Sequence, residues 1–166
     1  MRLRFQAATL DDVDDLVVLH LAVSQQLTSD FGKGPWSGAV SDRGVRFSMT
    51  RARIYVARAG KKLVATFALS TRKPWAIDKK YFTPSRLPLY LTSMAVSSAR
   101  QRKGLGRQCV EEALRIANAW PADAIRLDAW DADAGAGDFY RKCGFREVGR
   151  AMYRNAPLIY FEHLRL

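Results

Sequence analysis

The sequence is short of cysteines, of long hydrophobic runs and of acidic side chains. Its two cysteines, Cys109 and Cys143, cannot form a disulfide framework, and neither has a second cysteine or a histidine at metal-site spacing. No segment approaches the ~20 apolar residues that cross a bilayer, and the N-terminus lacks the apolar core of a secretory signal. We therefore expect a soluble cytoplasmic protein with no bound metal and no membrane partner.

Positive charge is in excess. Lys and Arg number 27 against 16 Asp and Glu, so the formal net charge is +11 with both histidines neutral. Hydrophobic residues make up 48% of the 166 residues, enough for a globular chain with its own core, and we expect residues 1–166 to form a single domain. The charge alone fits a nucleic-acid surface, a membrane surface or a polyanionic small ligand, so only local motifs distinguish these classes.

Hydrophobic periodicity predicts helices and strands that alternate in the second half of the chain. A helix is expected from the N-cap Thr9 to about Gln26, because acidic residues follow Thr9 and an apolar stripe begins at Val13. The other predicted helices lie at about 40–50, 104–119 and 136–142, and the strands at 2–7, 53–57, 63–69, 89–96, 125–129, 145–150 and 158–164. This order predicts an α/β (α+β) fold, a mixed sheet with helices on both faces.

Segments 31–38 and 71–88 show neither the helical nor the strand repeat of apolar residues and are predicted to be loops. Their large aromatic residues are expected to wall a binding pocket or to cap the core: Trp36, Trp75, Tyr81 and Phe82. His20 lies on the apolar stripe of the first helix, where a packed, hydrogen-bonded core histidine is favoured over a catalyst.

The run from Met94 to Arg107 carries the clearest chemical signal. An apolar strand leads into a basic turn, and Gly104 and Gly106 open an amphipathic helix, so unpaired N–H groups and the helix dipole converge on one point. Glycine lets the backbone approach an anion, and four cations surround the turn: Arg100, Arg102, Lys103 and Arg107. The segment predicts a phosphate-binding cradle.

Two common phosphate motifs do not fit this cradle. A Walker loop needs GxxxxGK before Ser or Thr, and a dinucleotide fingerprint needs a third glycine where Cys109 stands. The run from Gln101 to Gly106, Gln-Arg-Lys-Gly-Leu-Gly, directly follows a strand that ends Met-Ala-Val. It resembles the acetyl-CoA-binding motif of the GCN5-related N-acetyltransferases, the GNAT family.

A second motif strengthens the resemblance. The run from Phe139 to Phe145, Phe-Tyr-Arg-Lys-Cys-Gly-Phe, is similar to the family's Phe-Tyr-x-x-x-Gly-Phe signature and follows a predicted fifth strand. The two motifs and the element order together cover the chain from about Arg4 to Leu164. The resemblance implies a GNAT-like, mostly antiparallel sheet of six to seven strands with a V-shaped splay between strands 4 and 5.

The resemblance also implies acetyl-CoA as co-substrate. Its pantetheine arm would pair with the backbone of Met94, Ala95 and Val96. Asp133 stands where the family often has an Asn, so it can accept from a pantetheine N–H but cannot donate. The other residues implied to bind acetyl-CoA are Gln101, Arg102, Lys103, Gly104, Leu105, Gly106, Arg107 and Tyr140.

The implied reaction is direct attack of a neutral primary amine on the thioester, which needs a base for the ammonium proton and an acid for the thiolate. Tyr140 occupies the family's tyrosine position, where it acts as the acid or packs on pantetheine. The family's fourth-strand Glu is missing here, since Tyr90 stands at about that position. The candidate bases are therefore Asp128, Asp131 or a water molecule relayed from them.

The acceptor is not specified by the sequence. Small metabolite amines, aminoglycoside-like polyamines and peptide or protein amines are all compatible with it. The sequence is also compatible with a homodimer. A polyamine acceptor would require acidic residues such as Asp30, Asp78 or Asp131 to outweigh the positive charge locally. Two alternatives stay open: a catalytically silent acyl-CoA sensor, and a nucleic-acid-binding module, which is less favoured because acetyl-CoA already accounts for the densest basic cluster.

Overall fold

A seven-stranded sheet forms the centre of the protein. A computed structural model describes residues 1–100 and 103–165. The strands run in the order β1-β2-β3-β4-β5-β7-β6, and every neighbouring pair is antiparallel except β4–β5. The mixed, mostly antiparallel sheet is confirmed. The strand bounds are β1 Phe5–Ala7, β2 Arg53–Ala59, β3 Lys62–Ser70, β4 Pro88–Val96, β5 Ala124–Trp130, β6 Arg146–Tyr153 and β7 Ala156–Leu164.

The described residues contain four α-helices, which cover both faces of the sheet. Val56 and Ala57 are neighbours in β2, yet Val56 packs against the first two helices and Ala57 belongs to the cluster that includes the third and fourth. Successive strand residues point to opposite faces, so the two clusters lie on opposite sides. The helix bounds are α1 Val13–Phe31, α2 Asp42–Arg51, α3 Leu105–Ala119 and α4 Gly137–Lys142.

The start of the first helical segment is as predicted, and its end is not. The Thr9 hydroxyl accepts a hydrogen bond from the N–H of Asp11 and caps a short 3-10 turn that leads into α1. The helix then continues to Phe31, five residues past the predicted end. It stops at Gly32, whose φ of +81° leaves the helical region and whose N–H bonds to the carbonyl of Thr28.

The long loop between β3 and β4 is tied to the sheet. Phe82 is buried and packs on Tyr160, so it caps the core, whereas Trp75 is 69% exposed. The Thr83 hydroxyl donates to Glu162 at 2.9 Å, and the guanidinium of Arg126 donates to the Thr83 carbonyl at 2.8 Å. These bonds give the loop a defined path over the end of the sheet.

None of the helices among residues 1–100 and 103–165 is long and apolar enough to cross a membrane.

Candidate active site

The sheet opens between β4 and β5. The two strands pair over only three positions, from Pro88 with Ala124 to Tyr90 with Arg126. Beyond these, β4 stays paired with β3, and β5 stays paired with β7 along its whole length. Because each strand follows its outer neighbour, the inner edges diverge toward their carboxyl ends. The predicted splay is therefore present.

A β-bulge changes the direction of β4 inside the splayed stretch. Thr66 pairs with Ala95 while Ala68 pairs with Thr92, so β4 has one extra residue there. The extra residue is accommodated by Ser93, which adopts a φ of +52°, a left-handed conformation uncommon outside glycine.

The bulge determines the face of the sheet to which the side chain of each predicted pantetheine-binding residue points. Met94 and Val96 pack against the cluster that contains α3, whereas the Ala95 side chain is buried against α1 on the other face. All three lie in the part of β4 beyond its pairing with β5. Their side chains therefore point to different faces, and what the three residues share is a backbone that lies along the opened edge of β4.

The predicted phosphate cradle lies at the start of α3. Gly104 is its N-cap with a φ of +78°, and the first N–H groups of the helix have no acceptor within it. Lys103 is exposed, and Arg107 donates to the Lys142 carbonyl at 3.2 Å, which connects α3 to the end of α4. Gln101 and Arg102, also expected to bind acetyl-CoA, lie outside the described residues.

The two glycines of the turn have different roles. A Cβ on Gly104 would meet nothing within 4 Å, so this residue is needed for its backbone conformation and leaves open space above the turn. A Cβ on Gly106 would lie 3.2 Å from the Phe139 ring, so Gly106 also permits close packing of α3 on α4. Leu105 between them is buried in the core.

Tyr140 projects from α4 into a largely apolar environment. It is 7% exposed, and its ring contacts those of Phe139, Phe145 and Phe161 at 5.2 to 6.0 Å between centroids. Burial raises the pKa of the Tyr140 phenol well above its ordinary range, and the nearby charge of Asp128 raises it further. No residue of the described chain forms a hydrogen bond with this hydroxyl, which stays protonated at neutral pH.

The three aspartates singled out by the sequence differ in their surroundings. Asp128 lies within β5, and burial raises the pKa of its carboxyl. Asp131 accepts two hydrogen bonds from the guanidinium of Arg150, both at 3.0 Å. Asp133 is exposed in the turn after β5. Of the three, Asp128 is the carboxyl whose basicity burial increases.

A cavity of about 680 Å³ lies on the α1 and α2 face of the sheet. It reaches the opened stretch of β4 at Ser93 and Met94, and both loops contribute walls, through Trp36 and Trp75. The Trp36 loop is anchored to α1, because the Ser24 hydroxyl donates to the Trp36 carbonyl at 2.8 Å. Trp36 and Trp75 thus wall a pocket, one of the two roles expected for them.

The interpretation of His20 as a hydrogen-bonded core residue is wrong. His20 lines the cavity, and the described residues offer its imidazole no hydrogen-bond partner. Burial lowers its pKa, so the ring is neutral at physiological pH. The apolar stripe that contains His20 predicts which face of α1 points toward the sheet, but it does not predict that this face lines a cavity.

The cysteines do not suggest covalent or metal chemistry. Cys109 is fully buried, and burial raises the pKa of its thiol to about 12, so it is a core residue. Burial also raises the pKa of the half-buried Cys143. Within residues 1–100 and 103–165, no group of three or more His, Cys, Asp or Glu side chains is placed to hold a metal ion.

Comparisons with known proteins agree with this geometry. The family model described as acetyltransferase (GNAT) family matches residues 21–145. YvbK, an uncharacterized N-acetyltransferase of Bacillus subtilis, is 28% identical over 98 residues, which span 59% of this chain and 56% of that protein. The match therefore covers little more than half of the relative's length.

Solved structures share the fold along nearly the whole chain. A protein of Pyrococcus horikoshii superposes with a TM-score of 0.74 at 18% identity, over 99% of both chains. An acetyltransferase of Bacillus subtilis, crystallised in complex with CoA, gives a TM-score of 0.63 at 21% identity, over 99% of this chain and 100% of that one. Because the family model matches most of its length, this chain belongs to the acetyltransferase (GNAT) family.

Proposed function

We propose that residues 1–166 act as one acetyltransferase domain that transfers an acetyl group from acetyl-CoA to a primary amine. The observation that carries the proposal is the opened stretch of β4. At Ser93 and Met94 of this stretch, the cavity meets the gap between β4 and β5. The strand then leads to the anion-binding turn at Gly104. Acceptor and acetyl donor could thus reach one stretch of backbone from two sides.

The residues present fit acetyl-CoA. The backbone of Met94, Ala95 and Val96 lies along the part of β4 that diverges from β5, and pantetheine amides would pair there. The open space above Gly104 and the N–H groups of the first turn of α3 suit a pyrophosphate. Lys103 and Arg107 would add charge there, Arg102 a further charge and Gln101 a neutral amide, and Asp133 would accept from a pantetheine N–H.

Acetyl-CoA supplies an activated thioester. The acceptor nitrogen would attack the carbonyl carbon, so that a C–N bond forms and the C–S bond breaks. Asp128 would take the ammonium proton directly or through water, since its raised pKa makes it a better base at neutral pH than an ordinary carboxylate. Asp131 is the weaker candidate because both of its oxygens are engaged by Arg150.

Tyr140 would donate its phenolic proton to the departing sulfur. The hydroxyl has a proton to give and no competing partner in the described chain, and its aromatic packing fixes its direction. The products are then an acetamide and the CoA thiol, and the phenolate regains a proton by way of Asp128 or water. The ammonium acceptor loses two protons in all. The first, taken by Asp128 before the attack, is released to water, and the second, lost as the amide forms, replaces the proton that Tyr140 gives to the thiolate.

The test is release of free thiol from acetyl-CoA in the presence of a panel of primary amines, with product mass measured in parallel. We expect amine-dependent thiol release and an acetylated product. A CoA-dependent rise in Tm without thiol release would indicate an acyl-CoA sensor. Steeply salt-dependent DNA binding without any CoA effect on Tm would indicate a nucleic-acid-binding module.

A further inference from the structure

The charged side chains that line the cavity are all cations, and none of its described lining residues is Asp or Glu. We infer that the acceptor amine carries a carboxylate on an apolar or aromatic body. This inference rests on the proposed acetyl transfer and specifies the class of acceptor for the same site.

Three cations border the cavity without a carboxylate partner. The Arg51 guanidinium lies 5.5 Å from the Phe47 ring and 5.7 Å from the Trp75 ring, and it forms no ion pair within the described chain. Lys73 donates to the backbone carbonyls of Pro74 and Ile77 at 2.9 and 2.7 Å. Arg72 is exposed at the rim. Their charge is therefore available to an anion.

Several arginines elsewhere are paired with carboxylates. Arg58 pairs with Asp12 at 2.7 Å and with Asp15 at 2.8 Å, and Arg115 pairs with Glu112 at 2.6 Å. Arg51 receives no carboxylate, and it is half-buried in the cavity wall beside two aromatic rings. A planar guanidinium beside two aromatic rings, with its donors unused, is suited to bidentate recognition of a carboxylate.

The acidic residues that a polyamine would need are engaged elsewhere. Asp30 accepts from the Gln26 amide at 3.0 Å, Asp78 pairs with Lys80 at 3.5 Å, and Asp131 is held by Arg150. None of the three lines the cavity. A polycationic acceptor would therefore enter a positively charged hollow without a counter-charge, which disfavours binding.

The remaining walls define the body of the acceptor. Leu16, Val23 and Ile54 form an apolar floor, and the indoles of Trp36 and Trp130 pack edge to face at 5.7 Å. The volume of about 680 Å³ is within the usual range for small-molecule sites. A small molecule with an apolar or aromatic centre fits these walls.

The strand order places the carboxylate at the far end from the amine. The Ser70 hydroxyl of β3 donates to the Arg51 carbonyl at 2.8 Å, and Ser70 is paired with Tyr90 of β4. Arg51 is therefore two strands away from β4, or roughly 10 Å at the usual strand spacing. The amine is expected at the opened stretch of β4, so the apolar centre of the acceptor separates its two polar ends.

The experiment compares 4-(2-aminoethyl)benzoate with 2-phenylethylamine, which has the same amine and ring without the carboxylate, and with spermidine. The readout is kcat/KM for thiol release from acetyl-CoA by the full chain. We expect the benzoate to be favoured by about tenfold or more, because a charge-assisted contact to Arg51 is added. Equal or better turnover of 2-phenylethylamine or spermidine would overturn the inference while upholding the proposed function.

Variants of Arg51 assign the effect to this residue. Arg51→Gln is expected to lower kcat/KM for the benzoate by about tenfold and to change that for 2-phenylethylamine by less than about twofold. Arg51→Lys should restore part of the loss. Arg53→Gln, an exposed position outside the cavity, is the matched control and should change neither. Equal losses for both amines in Arg51→Gln would contradict the inference, and turnover of no amine by the unmodified chain would contradict the proposed function itself.

Discussion

Tyr140 and Asp128 owe their properties to the same cause, which is removal from water. Burial raises both pKa values, yet the consequences differ, because the phenol becomes a firmly protonated group and the carboxyl becomes a stronger base. Asp128 also contributes to the raised pKa of Tyr140, so the two groups are electrostatically coupled. We propose that this pair divides the two proton transfers of the reaction.

Substitution Tyr140→Phe tests the acid. The change removes one hydroxyl and keeps the aromatic packing, so we expect kcat to fall by roughly 100-fold, within the usual range for loss of a general acid. Acetyl-CoA affinity, measured by calorimetry, should change little. Tyr153→Phe on β6 is the control and should leave kcat unchanged. An undiminished kcat in Tyr140→Phe would remove Tyr140 from the chemistry and leave it a packing role.

Substitution Asp128→Asn tests the base through stability as well as activity. The carboxyl titrates at its ordinary value in the unfolded chain and at a raised pKa in the folded protein, so between these values the folded state binds more protons. Stability therefore falls as pH rises through this window, and the ionised group destabilises the protein above it. We expect Asp128→Asn to raise Tm at pH 7, to change it little at pH 3 and to lower kcat/KM.

The control for Asp128 is Asp14→Asn, which removes an exposed carboxylate of α1. It should leave the turnover unchanged. A lower Tm for Asp128→Asn at pH 7 would mean that the carboxylate is stabilised in the fold. Unchanged turnover would leave the proton transfer to water or to another group.

At the scale of elements, the start of α3 requires glycine at two positions for two different reasons. Gly104 supplies the left-handed backbone that turns the chain into the helix, and Gly106 supplies the space that Phe139 fills. The same turn therefore presents N–H groups outward and fixes α4, and with it Tyr140, inward. In the proposed mechanism, acetyl-CoA binding and the placement of Tyr140 as the acid would both depend on this short segment.

Substitution Gly104→Ala separates the backbone requirement from the binding role. An L side chain in the left-handed region costs about 1 kcal/mol, so the free energy of unfolding should fall by that amount. Gly60→Ala is the matched control, because Gly60 has a φ of +62° and open space around its Cβ position but lies in the β2–β3 turn. Denaturant unfolding should show similar losses for both.

Calorimetric titration with acetyl-CoA should then distinguish the two variants. We expect weaker binding only for Gly104→Ala, because its strain shifts the N–H groups of the cradle. Equal acetyl-CoA affinity in both variants would argue against a phosphate contact at this turn.

The local sequence pattern predicts most helices and strands. The features that it does not predict depend on packing between distant parts of the chain. The α3 helix and the β2–β3 hairpin were predictable because periodicity and turn residues act over a few positions. The end of α1 was misplaced because Leu27–Phe31 continues the helix without a clear stripe. The role of His20 and the capture of Asp131 by Arg150 depend on surfaces brought together across the sheet, which a single sequence does not specify.

At the scale of the molecule, the net charge of +11 is unevenly compensated. Many surface arginines pair with nearby carboxylates, while the cations at the α3 turn and at the cavity have few acidic partners in the described chain. Positive potential is therefore concentrated where acetyl-CoA, a polyanion, and the proposed carboxylate acceptor would approach. The excess charge favours capture of both substrates.

Ionic strength should weaken donor binding measurably. Raising salt from about 0.05 to 0.5 M shortens the screening length several-fold, so we expect the KM for acetyl-CoA to rise. The control is acetyl-dephospho-CoA, which lacks the 3′-phosphate and should show a shallower salt dependence. Salt-independent KM values for both donors would contradict electrostatic capture.

Three of the four tryptophans border one cavity: Trp36, Trp75 and Trp130. The fourth, Trp120, follows the last residue of α3 and is 54% exposed. Ultraviolet emission from the protein is therefore dominated by side chains that an acceptor would touch, and substitution Trp120→Phe removes the remaining background. Tryptophan fluorescence should therefore report the entry of a molecule into this cavity, so that candidate amines can be screened without a label and without turnover.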